Sequence, residues 1–247
     1  MGRSPTGSGR SSRRNPDRPS AADPPRGDAR RHAATRRGGT PRARLPYPCA
    51  VPVHDDPADT APASGPGHRV TLILDGRPVD TLADLPPEPG RLLFVGLNPS
   101  PVSVAAGHYH QGRLGRAFWR RLVTATILPP GVDLDVADDA LIAAGHGITD
   151  LLKLPSPRDE ADAATLRAGV GPLWQKVSVW RPAAVVFVYK RAAEACAGRP
   201  VPEPWGHVDG LALAARPCFL MPGPYAPREA VAEGLNVIRN LRSAIGG

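Results

Sequence analysis

The sequence predicts an α/β fold, a three-layer α/β/α sandwich around a mainly parallel central sheet, preceded by a disordered Arg- and Pro-rich tail. Two apolar runs of strand length, "RLLFVGL" and "PAAVVFVY", show no polar alternation, as expected of strands buried on both faces. Segments of helical periodicity lie between and after them, and that alternation is the mark of parallel sheets with helical crossovers. The composition also changes sharply near residue 65, which places the tail at residues 1–65 and the α/β domain at residues 66–247.

Charge separates the two parts. Residues 1–45 hold twelve Arg and three Asp, a formal +9, whereas the whole chain carries +8, so residues 46–247 are at −1. The high pI belongs to the tail. A segment so rich in Arg, Pro, Gly and Ser, with almost no aromatic or β-branched residues, buries too little apolar surface to offset the entropy of ordering. An Arg-rich arm attracts polyanions by counterion release, whatever their sequence.

The elements of the domain follow in order. "HRVTLILDGRPVDTLADLPPEPG" has two short apolar runs around Asp75-Gly76, a hairpin signal over residues 69–82. "RLLFVGL" is the first buried strand. Helical patterns follow near Phe118–Ile127, at about Asp135–Ala144, and at about Ala161–Trp180, where Leu166, Val170, Leu173, Val177 and Trp180 recur at three- and four-residue steps. "PAAVVFVY" is the clearest strand. A short helix at Lys190–Ala197, strands at Leu211–Ala215 and Cys218–Met221, and a last helix at about Arg228–Ser243 complete the pattern.

No apolar stretch has signal-peptide or transmembrane length, so a cytoplasmic location is expected, nucleoid-associated if the chain is bacterial. Cys49, Cys196 and Cys218 are isolated and odd in number, which excludes a disulfide framework and zinc or iron–sulfur spacings. His146 and His207 lack metal-ligand spacing and read as structural or surface residues. No metal and no cofactor are expected.

In mainly parallel sheets ligands bind beyond the carboxyl ends of the strands. Two loops stand there, after Val95 and after Leu220. In the first, Gly96 permits a sharp turn, and Pro99 and Pro101 fix φ on either side of Ser100. Asn98 would thus sit in a stiff loop. A carboxamide is neutral at every working pH and is no strong base, but it can orient a water, which suffices when the leaving group departs easily. By itself, Asn-Pro is more often a turn in which Asn bonds its own backbone.

The wider stretch "GLNPSPVSVAAGHYHQGRLGRAFWRRL" resembles the first motif of the mismatch-specific uracil-DNA and thymine-DNA glycosylase family. That motif is Gly-Ile-Asn-Pro-Gly, then about ten residues to a Gly followed by aromatic or His residues, then Phe-Trp opening a helix. Its counterparts here are Gly96 to Ser100, Gly107-His108-Tyr109-His110 and Phe118-Trp119. "GHGITDLLKLPSPRDEADAATLRAG" is similar to the family's Gly-Val/Ile-Thr-Asp/Lys-Leu stretch, "WRPAAVVFVYKRAAEA" to its central strand and helix, and "FLMPGPYAPREAV" stands at its second motif. The resemblance spans about residues 88–245 in the family's order. Ser100 replaces the Gly after Asn-Pro, and the Asn that usually precedes Phe-Trp is missing. The Asp that uracil-specific glycosylases outside this family carry in the corresponding loop is also absent.

The resemblance implies a uracil-DNA glycosylase-like fold and a monofunctional DNA glycosylase that acts on double-stranded DNA. Its substrate would be uracil mispaired with guanine, with thymine or adducted bases opposite guanine as further substrates. The base is extruded into a pocket, at least cost when mispaired. Asn98 would position the attacking water, Gly96, Leu97 and Pro99 would line the pocket, and Tyr109, or alternatively His110, would stack on the base. The loop after the last strand would wedge into the duplex, with Tyr225 filling the gap and Arg228 meeting a phosphate or the orphaned guanine. Arg113 and Arg116, with Arg120 and Arg121, would line a phosphate track, though such runs are also ordinary solvated helix faces. The expected partner is damaged duplex DNA, with no membrane, and the expected state is a monomer. A degenerate fold that binds lesions without turnover is the alternative.

Removing residues 1–60 is expected to flatten the salt dependence of DNA affinity and to leave the chemical step at saturating protein unchanged. Anisotropy over a salt series with single-turnover assays tests this, and a collapsed chemical step would refute the division of labour.

Overall fold

The computed structural model describes residues 65–157, 160–202, 205–223 and 226–245. The expected basic tail lies outside them except for Gly65. The hairpin forms as expected: β1 (Arg69–Leu74) pairs antiparallel with β2 (Arg77–Leu82), in register from Arg69↔Leu82 to Leu74↔Arg77. Asp75 and Gly76 make its turn with φ of 50° and 74°, the positive pair that suits a tight hairpin.

The main sheet has five strands in the order β4-β3-β5-β7-β6. These are β3 (Leu92–Gly96), β4 (Gly147–Asp150), β5 (Ala184–Phe187), β6 (Gly206–Leu213) and β7 (Arg216–Leu220). Strands β4, β3, β5 and β7 run parallel, and β6 closes one edge antiparallel to β7. The chain passes from β3 to one side for β4 and then across to the other side for β5. The strand order therefore reverses at β3, which makes the loop after β3 the switch point where such sheets take their ligands.

The pleat sorts each strand's residues between two cores. Leu92 and Phe94 of β3, with Ala184 and Val186 of β5, face a cluster that includes Phe118, Trp119 and Leu122 of α2 (Gly112–Thr124), Leu141 of α3 (Ala137–Ala143), and Leu235 and Ile238 of α6 (Arg228–Ile245). Leu93, Val95, Val185 and Phe187 face the opposite cluster. It holds Leu166, Val170, Leu173 and Val177 of α4 (Ala163–Trp180), and Ala192, Ala193 and Cys196 of α5 (Lys190–Ala197). Each fully buried Leu, Val or Phe contributes about 1.5–3 kcal/mol of transfer free energy. The fold is thus α/β with a mainly parallel mixed sheet and helices against both faces. Burial pushes the thiols of Cys196 and Cys218 up to about 12, so both behave as inert core residues.

Several elements differ from the sequence-based expectation. Strand β6 runs from Gly206 to Leu213, earlier than Leu211–Ala215, because Ala214 and Ala215 form the β6–β7 turn with φ of 46° and 65°. Alanine carries no preference for that conformation, so the turn is invisible in the composition. Helix α2 starts at Gly112, six residues before Phe118. Two glycines in its first turn argue against a helix on propensity, yet a Cβ at Gly115 would lie 2.2 Å from the His110 carbonyl, so close packing requires the second of them. The four-residue β4 and the six-residue α1 (Pro101–Ala106) were too short to be anticipated from periodicity. No helix among the described residues is long and apolar enough to cross a membrane.

Candidate active site at the carboxyl ends of the strands

The loop after β3 is held by the segment that follows β4. Leu151 N–H donates to the Gly96 carbonyl (3.1 Å), Leu152 N–H to that of Leu97 (2.9 Å), and Ser156 N–H to that of Pro99 (3.1 Å). On its other side Val188 N–H donates to the Val95 carbonyl (2.9 Å). Asn98 is half-buried within this frame. Its Nδ2 lies 3.3 Å from the Pro99 carbonyl and 3.5 Å from that of Ser156, two long bonds to acceptors that can only receive protons. Two carbonyl acceptors on that side favour the amide end there over the oxygen. No described residue donates to the Oδ1 end, which leaves it to accept from a water or a ligand.

Ser100, which replaces a motif glycine, has a local task. It caps α1, its Oγ accepting from Ser103 N–H (3.1 Å) and donating to Ser103 Oγ (2.9 Å). Gly96 has no room for a side chain, since a Cβ there would lie 2.0 Å from Asp150 Oδ1. Leu97 packs its side chain into the α4-side core, so only its backbone is left to line a site, and Pro99 is buried.

The structure corrects the assignment of Tyr109. It is 1 % exposed, its hydroxyl donates to the Ala83 carbonyl (2.7 Å), and its N–H donates to Asp138 Oδ2 (2.8 Å). A ring enclosed in the core cannot stack on a base without unpacking it. His110, the alternative, is half-buried and so less enclosed than Tyr109. Its ring lies 4.3 Å from Phe118 and 6.2 Å from Tyr189, and its Nε2 is buried with no partner. Its φ of 52° is rare for a non-glycine residue and stores strain. Burial pushes the imidazole down to about 4, so it is neutral at physiological pH.

Beside this loop lies a charged cluster that the sequence reading missed. Asp84 sits between Lys153 Nζ (2.5 Å) and Lys176 Nζ (2.7 Å), and Thr149 Oγ1 donates to it (2.5 Å). Lys153 also donates to the Leu82 carbonyl (3.1 Å) and the Tyr109 hydroxyl (3.3 Å). Burial alone would raise Asp84, but the two ammonium groups outweigh it and hold the carboxyl well below the usual carboxylate range. Asp150, at the end of β4, has the opposite fate. Burial pushes it up to about 7 against the pull of Lys153, and its Oδ2 has no partner. These groups are scattered over more than ninety positions, and the one available signal was charged residues placed among buried apolar ones.

The proposed DNA contacts divide. Arg113 and Arg120 are exposed. Arg116 pairs with Asp135 (2.5 Å) at the surface, a contact too weak to exclude it from a phosphate track. Arg121 donates to the Pro222 carbonyl, tying α2 to the loop after β7. Tyr225 lies outside the described residues, as does the side chain of Arg228, whose backbone opens α6. His146 accepts from Leu92 N–H within the core (3.1 Å), while His207 is exposed beside Asp209. A cavity of about 260 Å³ lies between α4 and α5, lined by Arg167, Arg191 and Glu194.

No protein-family model matches this chain, and no curated protein matches it.

Asp150 gives the site a pH signature. Its unfolded value is about 4 and its folded value about 7, so between these the folded chain holds a proton that the unfolded chain releases, and stability falls as pH rises through that window. Asp150→Asn removes this liability. Its melting temperature relative to wild type is expected to be higher at pH 8 than at pH 5, by thermal denaturation at both; an offset equal at the two pH values would contradict the shifted carboxyl.

Proposed function

We propose that the chain is a monofunctional DNA glycosylase that hydrolyses the N-glycosidic bond of uracil mispaired with guanine in double-stranded DNA, the first step of base excision repair. The observation that carries the proposal is Asn98. It stands at the switch point of the sheet with its amide end on two carbonyls and its oxygen free, in the place where the motif resemblance expects a water-positioning Asn.

In this reading the extruded nucleotide enters beside the loop after β3, and His110, neutral and backed by Phe118, offers its ring to the base. Asn98 Oδ1 accepts a hydrogen bond from the attacking water. The water oxygen bonds to the sugar C1′ as the C1′–N1 bond breaks and uracil leaves with the electron pair. The water's proton passes to solvent, and an abasic site remains. Uracil is a stable enough anion for a neutral carboxamide to serve, particularly where N–H groups receive the developing charge. Lys153 is engaged with Asp84, which supports simple hydrolysis over Schiff-base chemistry. Exposed Arg113 is retained as a phosphate contact, and thymine or adducted bases opposite guanine are further substrates to assay.

Single-turnover base release from duplexes holding one G·U, A·U or G·C pair tests the proposal. Wild type is expected to release uracil fastest from G·U, and Asn98→Ala to lower that rate about a hundredfold or more, the usual scale for losing a group that acts on the transition state. Selective binding of the G·U duplex without release would make the chain a lesion binder instead. Neither release nor selective binding would leave the fold alone standing.

A further inference from the structure

We infer that His68, His108, Asp138 and Asp139 form a structural site for a divalent cation of the zinc class. The four residues come from three separate segments: the lead into β1, the turn after α1, and the first turn of α3. One ligand atom from each lies within 4.8 Å of all the others. His108 Nδ1 is 2.8 Å from Asp138 Oδ1, and His68 Nε2 is 2.8 Å from Asp139 Oδ1 and 3.9 Å from Asp138 Oδ2.

Two imidazoles and two carboxylates are a donor set that zinc accepts, at about 2.0–2.2 Å per bond, so ligand atoms of a tetrahedral site stand roughly 3.3 Å apart. The distances here straddle that spacing, and contraction of the longest pairs by up to about 1.5 Å closes the shell. Two carboxylates also balance the charge of a divalent ion. Four protein ligands leave no open position, which makes the role structural.

The backbone holds this arrangement in place. His68 N–H donates to the Gly107 carbonyl (2.7 Å), and Ala83 N–H donates to that of His68 (2.8 Å). The approach is so close that a Cβ at Gly107 would fall 1.9 Å from the Pro66 carbonyl oxygen, and one at Gly67 would fall 2.8 Å from His108 Nε2. The rings of His68 and His108 meet edge to face at 5.4 Å. Asp138 has no exposed surface, and its Oδ2 is already oriented by Tyr109 N–H, the kind of outer support that metal ligands require. A bound ion would staple the hairpin to the turn that carries Tyr109 and His110. Ion binding at these four residues is independent of base release.

The test uses the full chain stripped with a chelator and then titrated with Zn²⁺ alone, followed by calorimetry and thermal denaturation. Wild type is expected to bind one equivalent through this site, to melt higher with it, and to give a tetrahedral ligand-field spectrum when Co²⁺ is substituted. His68→Ala should weaken binding about a hundredfold or more, since even loss of an outer partner costs 10–100-fold. Asp139→Asn changes a half-exposed side chain that the fold does not need, and it should also weaken binding and remove the zinc-dependent rise in melting temperature. Absence of saturable binding would overturn the site and leave two His–Asp hydrogen bonds. Equal affinity in wild type and both variants would overturn it too, by locating the ion elsewhere in the chain.

Discussion

The segment after β4 lies along the loop after β3 and bonds to it at Gly96, Leu97 and Pro99, and the placement of Asn98 depends on that contact. It turns a stretch that Gly96 makes pliable into one with few choices. A carboxamide free to rotate would present either end to a ligand. Here the carbonyls of Pro99 and Ser156 occupy the amide end, so the oxygen is directed without any ionised group. Preorganisation of this kind is what a weak, neutral catalyst needs, because no free energy is then spent on orientation at the moment of reaction.

The buried charges next to the loop show what this placement demands. Asp84 is stabilised by two lysines, whereas Asp150, one register position from Thr149 and opposite Gly96, is left with an unpaired oxygen. A buried, half-satisfied carboxyl is a cost to stability, and such costs gather at functional sites. Gly96 is conformationally convenient for the turn, but its stronger constraint is steric: the Asp150 carboxylate fills the space a side chain would take.

Much of this was legible in the sequence. Strands β3 and β5 announced themselves as unbroken apolar runs because both their faces are covered, and α4 through its three- and four-residue recurrence. The Asp75-Gly76 hairpin was legible through its turn chemistry, and Asn98 through its place at a strand end. What stayed hidden depends on tertiary contact. Tyr109 is a plausible loop aromatic by position, and only the Ala83 carbonyl and Asp138 make it a core residue. Arg116 belongs to a basic run, and its surface pairing with Asp135 is visible only in the fold. His68 and His108 stand forty positions apart, and no spacing rule could pair them with Asp138 and Asp139. The turn at Ala214-Ala215 is imposed by the strands it joins, so nothing in its composition marks it.

In the proposed glycosylase, Asn98 acts on the reaction and not on recognition. The most direct test compares affinity for a G·U duplex whose uridine carries a 2′-fluorine that blocks glycosidic cleavage with the rate of base release from the unmodified duplex, in wild type and Asn98→Ala. Affinities are expected within about threefold of each other while the rates separate widely, the signature of an interaction made only in the transition state. Affinity and rate falling together would contradict it, and would make Asn98 a binding residue in a loop whose chemistry lies elsewhere.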